Sequence, residues 1–189
     1  MILTNEQTAQ RVEEGGLITN YVPHKVTERD GKAIYSFGQA GAAYDYRLGR
    51  EVQIIWYAMD GLMTPQAQRQ LSLPALVQED EDGRAFVLLP HESYALATVI
   101  ESWKIPLDMV VISYGKSSYT RLGLIYSITP FDPGWEGTPT ITIHNPTAAD
   151  VRLYIGEGIA TAVHHALEQR AAPYFGKYQL QPATVTFPL

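Results

Sequence analysis

Short runs of β-branched and aromatic residues, each closed off by glycine or proline, recur along this chain and confine it to a mainly β fold. Val52-Gln53-Ile54-Ile55-Trp56-Tyr57, Ala85-Phe86-Val87-Leu88-Leu89, Met109-Val110-Val111-Ile112 and the stretches 138–144 and 151–155 all read as strands. Asp82-Gly83, Asp132-Pro133-Gly134 and Gly156-Glu157-Gly158 punctuate them as turns. The sum is a sandwich or a barrel. With 189 residues the chain is long enough to bury a core, and one domain over 1–189 is expected.

One helix stands apart from the strands. Thr4 with Gln7 makes a capping box, Ala9 and Val12 share a face, and Gly15-Gly16 offers a stop, so the pattern predicts a short helix over 4–14. Residues 24–41, rich in charge and glycine, read as a surface loop before a strand that starts near Tyr44. The acidic run Glu79-Asp80-Glu81-Asp82 reads as a solvated turn.

Chemistry concentrates in Gly115-Lys116-Ser117-Ser118-Tyr119-Thr120-Arg121-Leu122-Gly123, directly after an apolar run. Lysine and arginine supply positive charge, serines supply neutral donors, and glycine lets backbone N–H groups approach an anion. The chain carries a formal net charge of −6, so a generic basic patch is a poor explanation and a small polyphosphate a better one. Gly115-Lys116-Ser117 is not a Walker A loop, because Val110 stands where that motif needs glycine and no clear helix follows. A polar β loop that binds phosphate is the reading kept, beside the alternative of a plain structural turn.

Other segments are less specific when taken alone. Thr129 to Gly137 is a turn framed by proline and glycine, in which Asp132 can simply hydrogen-bond its own backbone. Thr140-Ile141-Thr142-Ile143-His144 alternates, so Thr140, Thr142 and His144 share a polar face that lines a pocket or meets solvent. The five histidines show no metal spacing, and the adjacent pair His164 and His165 points to opposite faces of a strand. Tyr174 to Gln181 is a polar, aromatic tail able to fold over a ligand.

Composition closes off several functions. Without cysteine there is no disulfide, no thiolate metal site and no zinc nucleobase deaminase signature. The acidic balance disfavours nucleic acid as a partner. No apolar run approaches the ~20 residues needed to cross a membrane, and the N-terminus lacks a leader pattern, so a cytoplasmic location is expected.

Six segments in order resemble the dCTP deaminase family, of the same superfamily as the trimeric dUTPases. They are Ala43-Tyr44-Asp45-Tyr46-Arg47-Leu48-Gly49, Leu89 to Ala97, Gly115 to Leu124, Thr129 to Gly137, Tyr154 to Ala160 and Gly176-Lys177-Tyr178-Gln179. The resemblance implies a distorted β-barrel or jelly roll, a homotrimer, and sites built between subunits. It implies that Lys116, Ser117, Ser118 and Arg121 hold the triphosphate of a deoxynucleotide. It gives Asp132 the deoxyribose 3′-hydroxyl and a water, and makes Tyr174, Lys177 and Gln181 the residues that close on the nucleotide. Mg2+ would arrive on the triphosphate.

The resemblance stops at the base. Where zinc-free dCTP deaminases carry a glutamate that activates water, this chain carries Thr142, and a hydroxyl is no general base near neutral pH. Pro139, Thr161, His164 and Pro182 also depart from the family pattern. The expectation is therefore a pyrimidine deoxynucleoside triphosphate hydrolase that releases pyrophosphate, with Asp132, Arg121 and Ser117 catalytic. The substrate-binding set is Lys116, Ser117, Ser118, Arg121, Asp132, Thr142, Tyr174, Lys177 and Gln181. The alternatives are a dCTP deaminase with a substitute carboxylate, Glu136 being one candidate, and a nucleotide-binding protein without catalysis.

Overall fold

The computed structural model describes residues 1–56, 64 and 71–187. Helix α1 (Asn5–Gly15) opens with the capping box: Thr4 Oγ1 accepts from the Gln7 amide while Gln7 Oε1 accepts from the Thr4 amide. It ends at Gly16 in the left-handed conformation (φ 66°), where glycine avoids a Cβ clash. Thr4→Ala removes one half of the box, and is expected to cost about 1 kcal/mol, a fall of about 2–4 °C in Tm on thermal melting.

Fifteen strands follow among the described residues: β1 (Ile18–Thr19), β2 (Val26–Arg29), β3 (Lys32–Gln39), β4 (Tyr44–Trp56), β5 (Leu73–Pro74), β6 (Val77–Glu79), β7 (Ala85–Leu89), β8 (Ser93–Val99), β9 (Ser102–Lys104), β10 (Met109–Gly115), β11 (Ile125–Ser127), β12 (Glu136–Gly137), β13 (Ile141–Asn145), β14 (Val151–Tyr154) and β15 (Gly158–Ala166). A four-residue helical turn, α2 (Ser117–Thr120), separates β10 from β11. The five strands expected from the sequence are all present, the one over 138–144 beginning only at Ile141, past Pro139. Tyr57, expected as the end of the first, lies outside the described residues.

The largest sheet runs β10-β15-β4-β8-β13-β11, with β3 and β5 also paired to β4 and β2 to β3. Two smaller sheets, β1-β9-β12 and β14-β7-β6, complete the fold. This is a jelly-roll sandwich, and not the closed barrel that was its alternative, because the main sheet's end strands β10 and β11 do not hydrogen-bond to each other. Strand β4 makes the corner: residues 44–47 pair with β15 and residues 52–56 with β8. Gly49 permits the bend, since a Cβ there would lie 2.5 Å from Thr98 Oγ1.

Residues 24–41 are not the loop their charge suggested. They fold as the β2–β3 hairpin around Asp30-Gly31, both at positive φ (53° and 75°), as a tight hairpin turn requires. The charged residues face solvent on a two-stranded ribbon, which hides the alternation that marks a strand. The Glu79–Asp82 run does form a turn, its Asp80 carboxylate accepting from the Asp82 and Arg84 amides.

One core draws on all three sheets, with Tyr44, Tyr46, Leu48, Trp103, Met109, Ile141 and Leu153 essentially inaccessible. Two of the buried ion pairs among the described residues are made by arginine. Arg47 donates to Glu101 at 2.7 Å, and Arg84 forks onto Glu157 at 2.9 and 2.8 Å. Each buried carboxylate is satisfied on several sides, Glu101 also by the Arg47 amide and Tyr44 hydroxyl, Glu157 also by the Tyr35 amide. That is the condition under which buried charge is tolerated.

Candidate active site

Strand β13 places the base of a cavity of about 360 Å³. Ile141 and Ile143 turn inward to the core, while Thr140 and Thr142 turn to the cavity, so the polar face of this strand lines a pocket. Register fixes its neighbours: Thr142 lies opposite Leu96 of β8 on one side and Ser127 of β11 on the other. Three small or medium side chains therefore share one patch of floor. His144, one step further along, leaves the pocket and stacks on Tyr94, its rings 5.3 Å apart; burial lowers its pKa.

The wall opposite is the segment 127–135. Phe131 is pinned to Val111 by a pair of backbone hydrogen bonds, after which Asp132-Pro133-Gly134-Trp135 turns back, the Trp135 amide donating to the Asp132 carbonyl. The turn uses the backbone of Asp132, not its side chain. The Asp132 carboxylate is exposed, lines the cavity and has no hydrogen-bond or ion-pair partner among the described residues. It is the one carboxylate lining the cavity among those residues. Glu136 does not line it.

The tail forms the third side. Backbone hydrogen bonds join Tyr174 to Pro133, Leu180 to Glu136, and Thr138 to Gln181, while Trp135 Nε1 donates to the Tyr178 carbonyl at 2.7 Å. Gly137 allows the contact: its φ is 148°, and a Cβ there would sit 2.6 Å from the Gln181 nitrogen. Gln181 Nε2 donates to Thr140 Oγ1 at 2.7 Å, which ties the tail to the pocket floor. Tyr174 and Gln181 thus line the cavity with Asp132 and Thr142, whereas Lys177 is exposed and lies over the Tyr178 ring.

The loop 115–123 is outside this cavity's lining. Gly115 ends β10, and Lys116 opens α2 with its carbonyl accepting from the Tyr119 and Thr120 amides. The amides and hydroxyls of Ser117 and Ser118 have no partner among the described residues, and the Arg121 side chain has no ion pair there. These donors are exposed and lie within five residues of one another, available to an anion. Lys116 differs from them. Its ammonium is buried and donates to Asp45 Oδ2 at 2.6 Å.

Asp45 was not singled out from sequence as a site residue, yet it organises the underside of this loop. Burial acts to raise its carboxyl, but hydrogen bonds from Lys116 and Thr161 and the charges of Lys116 and Lys25 outweigh burial and hold it below the usual carboxylate range. The Thr161 hydroxyl, at a position read from the sequence as a departure from the family pattern, donates to Asp45 at 2.5 Å. Ser127 was also missed as a pocket residue, whereas Thr140 had been read onto a polar strand face that could line a pocket, and it does. For Thr140 the alternation was a sufficient signal; for Ser127 only the strand register could reveal it.

A family profile described as dCTP deaminase-like matches residues 2–167. The chain belongs to this family. It is 31% identical to a dCTP deaminase of Acidovorax sp. over 99% of this chain and 98% of that one. It is 33% identical to a dCTP deaminase of Protochlamydia amoebophila over 92% and 90% of the two chains. A solved dCTP deaminase from Agrobacterium tumefaciens shares the fold with a TM-score of 0.59 at 14% identity, covering 87% of this chain and about half (47%) of its own. The segments that carried the resemblance in the sequence are therefore those of a family member. Among the described residues no helix is long and apolar enough to cross a membrane.

Proposed function

We propose that this dCTP deaminase-like protein is a pyrimidine deoxynucleoside triphosphate hydrolase that yields the monophosphate and pyrophosphate. The observation that carries this reading is the cavity floor. Thr142, where the resemblance puts a deaminase's glutamate, meets Ser127 and Leu96 there, and none of the three side chains is an acid–base group near neutral pH. What the cavity does offer is the Asp132 carboxylate at its wall, unpartnered among the described residues. In this reading Asp132 accepts a hydrogen bond from water and aims it at the α-phosphorus, taking up the proton as the bond to the bridging oxygen breaks and pyrophosphate leaves. Arg121, Ser117 and Ser118 stabilise the charge that builds on the phosphate oxygens.

The cavity and the loop need not come from one chain. Tyr114, Leu122 and Ile125, each half or more exposed, surround the loop with apolar surface. A homotrimer in which a second copy covers that surface and faces its own cavity to the loop belongs to the same proposal. Mg2+ fits as an ion carried by the nucleotide. Among the described residues no group of three or more His, Asp or Glu is placed to cage a metal, and phosphate oxygens and water make up most of such an ion's shell. Bound there, it would offset the triphosphate charge.

A second reading, deamination of dCTP, is favoured by the names of the relatives that match over nine-tenths of both chains. It would have to activate water without Glu136, which does not line the cavity, and so through Asp132. Incubating the pure protein with Mg2+ and dCTP, dUTP or dTTP separately, and resolving products by anion-exchange chromatography, decides between the two. A monophosphate as the sole nucleotide product is expected. Formation of dUTP or dUMP from dCTP would establish deamination instead, and recovery of every nucleotide intact would leave binding alone.

A further inference from the structure

A row of residues crosses the main sheet in register: Tyr114 of β10 faces Thr161 of β15, Thr161 faces Asp45 of β4, and Asp45 faces Gly38 of β3. Directly opposed residues share a face, and the Thr161 hydroxyl reaching Asp45 confirms it here. On this face Lys116 runs from the loop back to Asp45. Gly158 clears its path, since a Cβ there would lie 3.1 Å from Lys116 Cε and 2.0 Å from the Ser36 carbonyl oxygen.

A second lysine reaches the same oxygen from the other side. Lys25 Nζ lies 3.2 Å from Asp45 Oδ2, against 2.6 Å for Lys116. Its position is set by the hairpin. The Gln39 amide donates to the Val22 carbonyl, the Val22 amide donates to the Tyr44 hydroxyl, and the His24 carbonyl packs against Gly38, where a Cβ would sit 2.1 Å from its oxygen. Two ammonium groups thus share one carboxylate, and neither has another acidic partner among the described residues. The cluster carries a net positive charge that an anion would balance.

The two lysines differ in access. The Lys116 side chain is 7% accessible and that of Lys25 is 43% accessible. Lys116 is held as a support under the loop, and Lys25 is able to turn outward to a phosphate as a flexible point charge.

We propose that Lys25, delivered by the β2–β3 hairpin to the Asp45–Lys116 pair, is a phosphate-binding residue of the same triphosphate site as Ser117, Ser118 and Arg121. The inference rests on the triphosphate reading of loop 115–123. When the phosphates arrive, Lys25 exchanges part of its contact with Asp45 for them, and Lys116 alone continues to neutralise the carboxylate. A triphosphate gains from this; a monophosphate, with less charge to place, gains little.

Calorimetry on the full chain with inorganic tripolyphosphate, dCTP, dUTP and dCMP tests it in wild type, Lys25→Met, Lys25→Arg and Arg121→Ala. Lys25→Met is expected to weaken tripolyphosphate and triphosphate nucleotide binding about tenfold, the loss of one charge-assisted hydrogen bond. Affinity for dCMP should hold, and Lys25→Arg should recover most of the loss. Unchanged triphosphate binding in Lys25→Met, with weakening in Arg121→Ala, overturns the role of Lys25 and leaves the loop reading standing. Equal weakening for dCMP and tripolyphosphate also overturns it, because Lys25 would then act only through the fold. If Arg121→Ala changes nothing, or wild type binds none of the probes, the triphosphate reading itself falls and Lys25 with it.

Discussion

Thr142→Glu is expected to raise ammonia release from dCTP by about 10² to 10⁴, the usual worth of one positioned general base. The geometry gives the new carboxylate a defined place. Position 142 projects from β13 into the cavity between Leu96 and Ser127, half-buried, with the tail over it. Partial desolvation raises the pKa of a glutamate there toward neutrality, which suits a base at pH 7. The Ser127 hydroxyl is close enough in register to steady it. A coupled assay for ammonia, run beside anion-exchange analysis of the nucleotides, reads the result. Ammonia no faster than in wild type would mean that the pyrimidine does not present its C4 to this part of the floor. Pyrophosphate release in the same variant serves as the control: its persistence shows that the triphosphate still binds and that only the base chemistry has changed.

What was legible beforehand follows from where the physics is local. The capping box over Thr4 and Gln7, the turn at Asp132-Pro133-Gly134 and the apolar runs of β7, β10 and β14 depend on residues near one another in sequence, and the structure places them as the sequence reading does. The β2–β3 hairpin was misread because its exposed ribbon buries little on either side, so charge masked the Asp30-Gly31 turn. The candidate site divides in the same way. Asp132, Thr142, Tyr174 and Gln181 come from three separate stretches and meet at one cavity, as a family resemblance can imply and spacing cannot. Lys116 carries a charge that reads as available to a ligand. Only the cross-strand register of Asp45, Thr161 and Tyr114 reveals that a buried carboxylate already holds it. Sequence shows which residues are charged, and the sheet decides which charges are already balanced.

His164 gives a large expected dependence of stability on pH on the acid side of neutrality. It sits on β15 opposite Val111 with 1% of its surface accessible, and its Nε2 has no hydrogen-bond partner among the described residues. Burial, aided by the neighbouring His165, pushes its pKa down from 6.5 to about 4. A depressed folded-state pKa means that the unfolded chain binds the proton more readily. The stabilisation is therefore fully present above pH 6.5 and is lost as pH falls from 6.5 toward 4. At about 1.4 kcal/mol for each pH unit, the loss across that window is about 3 kcal/mol. Denaturant unfolding of wild type and His164→Leu at pH 7.5, 5.5 and 4 would measure it. The variant is expected to lack this component of the decline, so that the difference between the two proteins shifts in its favour by that amount as the medium is acidified. The other acid-sensitive groups, Asp45 and Asp150 among them, have carboxyl pKa values held below their ordinary range and remain in both proteins, so their contributions cancel in the comparison. A constant difference at all three pH values would show that the core opens enough to solvate the imidazolium, and that the packing of Leu3, Met109 and Val111 in this part of the core is looser than their burial implies.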